Sequence, residues 1–431
     1  LVAFFCWIVL EAYTSNAFQM VSRVGLKQAF ENLHVVPADG PRRPDAYTAS
    51  ENMTYNVLDY GAKGDGSTDN TQAFKAAFNA ASAGGGGYVY APTGRYLFLG
   101  QLSIPDGVSL TGSYLSVPQH EKPKTAPTDG TVLIARYGRG QTNETYSFIT
   151  IGLDAALKGV VIYYDGQPCT NSLPAVYAPT IYMNGDNAAV EDVELLNSYI
   201  GIWAVAAARH YIARVQGQPI MIGVFVDETY DIGRIEDVHF NPWYCDEINY
   251  MYTQTMYGRA FVMGRSDWEY VFNTFAFGYA VGYHFIETPT GSMNGNFLGI
   301  GADYACNASV MVDASQAAGL LITNGEFTSF HNKDFAPNNP ALSAQVIVNK
   351  DNKGPVVFTN CAFWGPSNNI ARLYGDSTTT FVSSQIVQWN LQDEKSDAAA
   401  IYASNGNVIV NSCAFQQNGT QFEFESGVKK A

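Results

Sequence analysis

The feature that most constrains this chain is a degenerate repeat that runs from about residue 158 towards the C-terminus. Ten short apolar segments align in one register, with the shared position at Val160, Val193, Val215, Val238, Phe275, Ile300, Gly325, Cys361, Ser384 and Cys413. Successive members lie 22 to 37 residues apart. A minimum spacing that several repeats share and that others exceed by irregular amounts is typical of stacked coils that carry connecting loops of variable length.

Each repeat contributes more than one strand. Many of the aligned segments are followed by a short Gly-apolar-x-apolar unit, as in GIWAV, GVFVD and GYHFI. Short apolar runs separated by bends leave no room for a helix within a coil. The sequence therefore predicts an all-β chain, a single-stranded right-handed parallel β-helix.

An antiparallel sandwich or a propeller is the alternative architecture. Propeller blades repeat at about 40 to 50 residues, and hairpin sheets need regular two-residue turns of the Asn-Gly type. Neither pattern dominates here. The composition, with 47% hydrophobic and 15% charged residues, also excludes a disordered chain or a coiled coil.

The stretch before the repeat predicts a strand, a tight glycine loop and a helix. Tyr55–Leu58 is a short apolar strand, Asp69 with Gln72 forms a helix-capping box, and an apolar helical stripe follows. We expect this helix and a hairpin to cap the open end of the β-helix. The predicted division is a secretory signal at 1–17, a lead-in linker at 18–54, the capping region at 55–115 and the β-helix at 116–431.

This opening stretch resembles the pectate lyase superfamily, in particular its rhamnogalacturonase/epimerase-like branch. The resemblance rests on the segments NVLDYGAKGDGSTDNTQAFKAAFNAA (56–81), GGGYVYAPTGRYLF (85–98) and IPDGVSLTGS (104–113). It implies a right-handed β-helix that acts on a polysaccharide, but it is not specific for one reaction. The family's Asn-Thr-Asp, Asp-Asp and Gly-His-Gly hydrolase motifs and its Arg-x-Pro-x-x-Arg lyase motif are not intact here.

The N-terminal segment LVAFFCWIVL predicts a secretory signal, because it is apolar, too short to span a bilayer and followed by small polar residues. Secretion would suit the glycosylation sequons at Asn52, Asn143, Asn307 and Asn418. The formal net charge of −15 and the lack of a basic stripe make nucleic acid an unlikely partner. No membrane partner is expected once the signal is removed, and the oligomeric state stays open.

Four carboxylates are the candidate catalytic groups. Asp246 and Glu247 lie in one of the two longest insertions, and Asp303 and Glu326 precede or enter strands of the central coils. Glycosidic hydrolysis needs two carboxyls, which neighbouring coils can place about 5 to 10 Å apart, and this overlaps the range of about 5 to 9.5 Å found between such pairs. Asp237 falls in a column of bend residues and is interpreted as structural.

Other side chains are candidates for proton transfer or sugar binding. His239 and His331 are possible proton carriers, since histidine titrates near neutral pH. Trp243, Trp268 and Tyr304 could form flat platforms for sugar rings. Arg259 and Arg265 could neutralise the carboxylate of a uronate substrate.

The sequence thus predicts a secreted polysaccharide-degrading enzyme, most simply a glycoside hydrolase that uses paired carboxylates. No metal and no cofactor is expected, because no Cys/His ligand spacing and no calcium-loop spacing occurs. One alternative is a polysaccharide lyase acting on a uronate-containing polymer, which would need an arginine or lysine together with a base. The other is a carbohydrate-binding or attachment β-helix without activity.

Overall fold

The chain winds into stacked coils of parallel strands. The computed structural model describes residues 53–116, 124–330, 343–390 and 397–430. Strands pair in parallel with the strands of the coils before and after, and the pairs form three ladders. The predicted all-β parallel β-helix is confirmed.

The three ladders are called sheets 1, 2 and 3, in the order in which a central coil passes through them. Sheet 1 consists of Leu102–Ile104, Ile149–Ile151, Pro179–Met183, Ile200–Val205, Ile222–Asp227, Arg259–Met263, Val281–Phe285, Ala308–Val312, Ala344–Val348, Asn369–Leu373, the first part of Ile401–Asn411, and Phe422–Lys430. Sheet 2 consists of Thr54–Asn56, Gly87–Tyr90, Val108–Thr111, the first parts of Ala156–Tyr163, Ala189–Leu195 and Tyr211–Gly217, then Arg234–Glu236, Glu269–Phe272, Gly295–Leu298, Leu320–Thr323, Val356–Thr359, Thr378–Val382, and the last part of Ile401–Asn411. Sheet 3 consists of Asp65–Asp69, Gly94–Phe98, Thr131–Ala135, the second parts of Ala156–Tyr163, Ala189–Leu195 and Tyr211–Gly217, then His239–Phe240, Phe275–Phe277, Gly301–Ala305, Glu326–Ser329, Ala362–Trp364, Gln385–Ile386 and Ala414–Phe415.

Sheets 2 and 3 meet at a short bend that contains one left-handed residue in each coil. The bend residue has a left-handed φ between 50° and 65° in nine successive coils, at Asp192, Arg214, Asp237, Asn273, Gly299, Asn324, Asn360, Ser383 and Ser412. Short polar residues and glycine tolerate this conformation best. Their side chains also link neighbouring coils, since Asn360 Nδ2 donates to Asn324 Oδ1 at 2.7 Å. The structural interpretation of Asp237 is confirmed.

The predicted register is correct at nine of its ten positions. Strand pairing places Val238 opposite Thr274, and Thr274 opposite Ile300, because Phe275 pairs with His239 on one side and Gly301 on the other. The sequence analysis therefore placed the shared position at Phe275, one residue after the correct residue, Thr274. The buried position is filled by Thr274, whose hydroxyl hydrogen-bonds to the Tyr283 hydroxyl at 2.8 Å. A threonine at this point hides the apolar pattern from sequence analysis.

The interior of the coils is one continuous apolar core that runs the length of the described chain. Aromatic rings stack between coils within it, for example Phe358 on Phe381 with ring centroids 5.2 Å apart. Cys361 belongs to this core as a free thiol, and Cys413 is also free. Neighbouring coils thus stabilise each other through burial of apolar side chains as well as through strand pairing.

Helix α1, Thr71–Ala83, covers the first coils. Its buried residue Phe74 packs edge-on against Phe98 at 4.9 Å. Asn70, not Asp69, occupies the N-cap position, although Asp69 Oδ1 does accept the backbone N–H of Thr71 at 3.0 Å. The strands around the helix pair in parallel, so the expected hairpin instead forms the first coils.

Helix α2, Ile248–Tyr257, was not predicted. It lies in an insertion between sheets 3 and 1, outside the coil, where the strand periodicity that excluded a helix does not apply. Short 3-10 helices occupy Val57–Tyr60 and Glu144–Tyr146. Among the residues described, no helix is long and apolar enough to cross a membrane. The predicted signal and linker, at 1–17 and 18–54, lie almost wholly outside the described residues.

A disulfide joins two insertions. Cys169 bonds to Cys245, 76 residues further along the chain. The bonded pair lies in a small apolar cluster with Tyr163, Tyr244 and Tyr250. The disulfide therefore ties the start of the α2 insertion to the loop that follows Tyr163.

Candidate functional site

The carboxylates Asp246 and Glu247 precede α2 and face a lysine. Lys124 Nζ lies 3.0 Å from Asp246 Oδ1 and 2.5 Å from Glu247 Oε1. The lysine lowers the pKa of the Asp246 carboxyl, whose side chain is 72% exposed. Both carboxylates thus pair with one surface lysine, an arrangement that contributes little energy to stability.

These two carboxylates do not converge with the other two candidates. The neighbouring Cys245 is hydrogen-bonded through its backbone to the Gln218 side chain. The register of sheet 3 places Gln218 three strands away from the level of Asp303, which is about 14 Å at the usual strand spacing. The prediction that Asp246 or Glu247 pairs with Asp303 or Glu326 gains no support here, because Lys124 and Gln218 hold their loop at another level of sheet 3.

Asp303 and Glu326 do lie on neighbouring strands of sheet 3. Glu326 pairs with Gly301, and Asp303 follows Gly301 by two residues on the same strand. Strand spacing and rise give a separation of about 8 Å between the two Cα atoms. Glu326 is exposed, whereas Asp303 is half-buried, and this burial raises the pKa of the Asp303 carboxyl.

Aromatic rings flank Asp303. Tyr304 stacks between Phe277 at 5.7 Å and Phe330 at 4.9 Å. Further along the same sheet, the ring of His239 packs between Trp243 at 4.7 Å and Phe275 at 5.0 Å. Burial lowers the pKa of His239, which favours its neutral form. The structure thus places Tyr304 beside a carboxylate, but separates His239 and Trp243 from it by at least one strand.

Trp268 and Arg265 lie at the corner between sheets 1 and 2. Trp268 has a left-handed φ of 65° and is 56% exposed. Arg265 Nη2 lies 2.9 Å from Asp267 Oδ2, and its guanidinium covers the Tyr230 ring at 5.5 Å. Arg265 therefore already has a carboxylate partner. The remaining candidate, His331, lies outside the described residues.

Arg259 begins a strand of sheet 1 and reaches a histidine that sequence analysis missed. Arg259 Nη1 is 3.4 Å from His284 Nδ1 on the next strand. Burial lowers the pKa of the Arg259 guanidinium, and no carboxylate forms an ion pair with it among the described residues. A guanidinium only donates hydrogen bonds, so His284 Nδ1 is the acceptor and the imidazole proton is on Nε2.

His284 is held from its other side by a carboxylate. His284 Nε2 lies 2.8 Å from Asp313 Oδ2, and Asn349 Nδ2 donates to Asp313 Oδ1 at 2.5 Å. Burial of Asp313 acts to raise its pKa, but the hydrogen bonds from His284 and Asn349 outweigh it, so the net pKa is lowered. Asp313 is thus an anion that fixes the orientation of the imidazole, as second-layer carboxylates commonly do.

A cleft of about 480 Å³ opens beside Asp313. It is lined by Asp313, Asn349, Lys350, Asp351, Tyr374 and Ser404. Four of these residues follow successive strands of sheet 1, so the cleft runs along the helix axis. Such a direction suits a polymer better than a compact molecule.

The Arg259–His284–Asp313 group on sheet 1 has an arrangement that can bind an anion and move a proton. The guanidinium can receive a carboxylate in bidentate fashion, and the Nδ1 lone pair of His284, which accepts a hydrogen bond from Arg259 Nη1, becomes free to act as a base once the guanidinium turns to that carboxylate. The sequence signal for His284 is a polar residue inside the apolar unit GYHFI, at its outward position. Within the residues described, no group of three or more His, Cys, Asp or Glu residues could hold a metal ion.

Comparison with known proteins finds a family that the N-terminal part of the described chain resembles. Residues 54–202 match the family described as "Rhamnogalacturonase A/epimerase, pectate lyase-like". The match confirms the resemblance carried by the opening motif, but it covers about a third of the chain and ends before Arg259, His284 and Asp313. The similarity therefore says nothing about the chemistry of that group.

Several relatives act on polysaccharides according to their names. Alginate lyase 7 of Azotobacter vinelandii is 51% identical over 61 residues, which are 14% of this chain and 7% of the relative. Mannuronan C5-epimerase AlgE4 of the same organism is 46% identical over 68 residues, 14% of this chain and 12% of the relative. A probable rhamnogalacturonase B of Neosartorya fischeri is 36% identical over 92 residues, 21% of this chain and 17% of the relative. The chain thus spans less than a fifth of each of these relatives.

A solved structure supports the fold over most of the chain. DFA-IIIase from Arthrobacter chlorophenolicus A6, in complex with GF2, aligns with 88% of this chain and 93% of its own, with a TM-score of 0.51 and 12% identity. At this identity the likeness shows the fold alone. Reaction and substrate have to be argued from the side chains of this chain.

Proposed function

We propose that this protein is a polysaccharide-modifying enzyme that cleaves a uronate-containing polymer by β-elimination at the Arg259–His284–Asp313 group. The observation that carries the proposal is the meeting of a half-buried guanidinium with a carboxylate-oriented imidazole at the edge of an elongated cleft. A lyase needs both a cation for the uronate carboxylate and a base for the neighbouring proton. Arg259 supplies the first and His284 the second.

In the proposed step, the uronate carboxylate binds the Arg259 guanidinium, which makes the hydrogen on the adjacent carbon more acidic. His284 Nδ1 takes this proton, and Asp313 stabilises the resulting imidazolium. The electron pair of the broken C–H bond forms a carbon–carbon double bond. The bond from the next carbon to the glycosidic oxygen breaks, and the departing oxygen takes a proton from water in the cleft.

The test is a panel of polysaccharides incubated with the full-length protein, with two readouts taken together. Reducing ends report any chain cleavage, and ultraviolet absorbance reports the unsaturated product of elimination. We expect both signals on a polyuronate and neither on a neutral glucan. His284→Ala should lower the rate by about 10²- to 10⁴-fold, the usual loss on removal of a general base. Reducing ends without the unsaturated product would contradict the lyase proposal.

A matched control for His284→Ala is His239→Ala. His239 is also a partly buried histidine on the outside of a sheet, but it packs between two aromatic rings on sheet 3, and no carboxylate of the described residues pairs with it. His239→Ala should therefore leave the elimination rate unchanged. Equal losses in both variants would mean that the effect of His284→Ala is structural.

A glycoside hydrolase is the second candidate, and Asp303 is the observation that favours it. A carboxyl with a raised pKa beside an exposed carboxylate on the next strand is the pairing that acid–base hydrolysis requires. In this case Asp303 is the acid and Glu326 the base. Loss of reducing ends in Asp303→Asn and Glu326→Gln, with His284→Ala still active, would support the hydrolase. Binding of polymer without cleavage would leave the carbohydrate-binding alternative.

Secretion is proposed on separate grounds. The apolar segment at 1–10 predicts a signal, and the Cys169–Cys245 disulfide suits an oxidising compartment. Expression of the gene in its native host with detection in medium and cell fractions tests this. Recovery from the cytosol with both cysteines reduced would contradict it.

A further inference from the structure

A second arginine, Arg372, lies on the outer face of sheet 1. Burial lowers the pKa of the Arg372 guanidinium, and no carboxylate of the described residues forms an ion pair with it. Arg372 Nε donates to Asn369 Oδ1 at 2.7 Å, and the Tyr374 hydroxyl is also a hydrogen-bonding neighbour. A guanidinium removed from water without an anion is costly, so a site of this kind is suited to receive one.

Arg372 is aligned with the proposed reaction centre along the helix axis. Strand pairing places His284, Met311, Ile347 and Arg372 at equivalent positions on four successive strands. Three strand spacings separate His284 from Arg372, which is about 14 Å. Asn369, which holds the Arg372 guanidinium, is in register with Arg259, and this pairing runs through Val281, Ala308 and Ala344. The guanidinium is therefore turned back along its strand towards the level of Arg259.

The surface between the two arginines suits a sugar chain. Met311, Ile347 and Tyr374 form an apolar cluster there, and Tyr374 also lines the cleft. Sugar rings pack their C–H faces on such surfaces, and their hydroxyls find polar groups at the edge of the cleft.

The acidic groups nearby mostly have partners of their own. Asp313 is bound by His284 and Asn349, while Glu425 accepts a hydrogen bond from the Tyr402 hydroxyl. Asp351 lies at the cleft next to Lys350 in sequence and is exposed. Among the described residues, Arg259 and Arg372 are thus the half-buried arginines on this face of sheet 1.

We propose that Arg372, held by Asn369 and Tyr374, is a second carboxylate-binding subsite on sheet 1. The substrate class is then a polyuronate, with carboxylates on several sugars, and not a neutral polymer with an isolated uronate. This inference rests on the proposed function, because it assumes that a polymer binds at the Arg259–His284–Asp313 group. Beyond that function, the subsite sets how long the bound polymer must be and how its carboxylates are spaced.

The experiment measures binding, so that it does not depend on turnover. Full-length His284→Ala is titrated by calorimetry at low salt with hexasaccharides of galacturonate and of mannuronate, and with a neutral glucan hexasaccharide. We expect an acidic hexasaccharide to bind, and Arg372→Gln in the same background to weaken it by about 10- to 100-fold, the usual effect of losing a charge-assisted hydrogen-bonded pair. Binding of the neutral probe should not change.

Arg209→Gln is the matched control. Arg209 carries the same charge but already pairs with Asp186 and Asp231 at another corner of the coil. Arg209→Gln should therefore leave the affinity for the acidic hexasaccharide unchanged. Equal weakening in Arg209→Gln and Arg372→Gln, or no weakening in Arg372→Gln, would overturn the inference, and so would a failure of both acidic probes to bind.

The outcomes also separate this inference from the proposed function. Polyuronate cleavage with an unsaturated product, together with unchanged binding in Arg372→Gln, would retain the lyase and remove the subsite. Weakened binding in Arg372→Gln without any elimination by the parent protein would retain the subsite and remove the lyase. If both hold, Arg372→Gln in the active protein should raise KM on the polymer while kcat changes little.

Discussion

His284 Nε2 and Asp313 Oδ2 lie 2.8 Å apart and connect two neighbouring coils on the outer face of sheet 1. The contact joins a strand residue to the residue directly after the next strand. It therefore fixes the imidazole and, at the same time, joins the turn that follows Ala308–Val312 to the preceding coil.

The first prediction concerns the pH dependence of this contact. The pKa of Asp313 is lower in the folded protein than its ordinary value of 3.8, so its contribution to stability is present above that value and is lost as the pH falls through the folded pKa. Asp313→Asn should lower the free energy of unfolding at neutral pH by about 1 kcal/mol, a small value because the group is partly exposed. Denaturant unfolding from neutral to acid pH checks this. A constant difference between the two proteins below pH 4 would contradict it.

The second prediction has the opposite sign. Burial raises the pKa of Asp303, so ionisation of this carboxyl destabilises the folded state as the pH rises above the ordinary value of 3.8. Asp303→Asn should therefore gain stability relative to the parent protein at neutral pH and lose that gain in acid. Thermal unfolding of both proteins at neutral pH and at acid pH measures this difference in stability. Glu326→Gln, on the exposed neighbour, should change stability little and is the control.

The third prediction concerns the disulfide. Cys169 and Cys245 are 76 residues apart, and closing a loop of that length stabilises a fold by up to about 4 kcal/mol in the chain-entropy description. A variant with serine at both positions should lose stability of this order. Reducing agent should destabilise the parent protein and leave the variant unchanged. Destabilisation of both by the reducing agent would contradict the prediction, because Cys306, Cys361 and Cys413 are free thiols that a reducing agent leaves unchanged.

The fourth prediction tests the bend between sheets 2 and 3. Asn360 has a φ of 53°, which a β-branched residue adopts only with strain. Asn360→Val should cost about 1 to 3 kcal/mol of stability, whereas Asn360→Gly should cost less, because glycine accepts this φ and loses only the hydrogen bond to Asn324. Urea unfolding of the two variants and of the parent protein measures these two losses of stability. Equal losses would mean that the hydrogen bond, and not the backbone conformation, dominates at this position.

Much of the fold was readable from the sequence, because one apolar position recurs in every coil and the bend residues next to it are short and polar. The error at Phe275 shows where this reasoning fails. Thr274 fills the interior with a hydroxyl that bonds to Tyr283, so the apolar signal moves by one residue. Helix α2 was missed because it lies in an insertion that does not follow the strand period.

The site was less predictable, since sequence spacing does not show which loops converge. Asp246 and Glu247 were chosen for their density of chemical groups, yet Lys124, more than 120 residues earlier, holds both of them. His284 was overlooked because a single polar residue in an apolar strand has no partner within its own sequence neighbourhood. Asp313 is 29 residues away along the chain and one coil away in space.

The corner between sheets 2 and 3 has the same length in nine successive coils, one left-handed residue followed by one residue that faces the interior, and this restricts where the molecule can change during evolution. An insertion there would shift every outward side chain of the following strand to the interior. The other two corners already differ in length from coil to coil, from a few residues to an insertion that contains a helix. Sheet 1 lies between these two variable corners, so new recognition loops can be added on both sides of its outer face without disturbing the stacking of the coils.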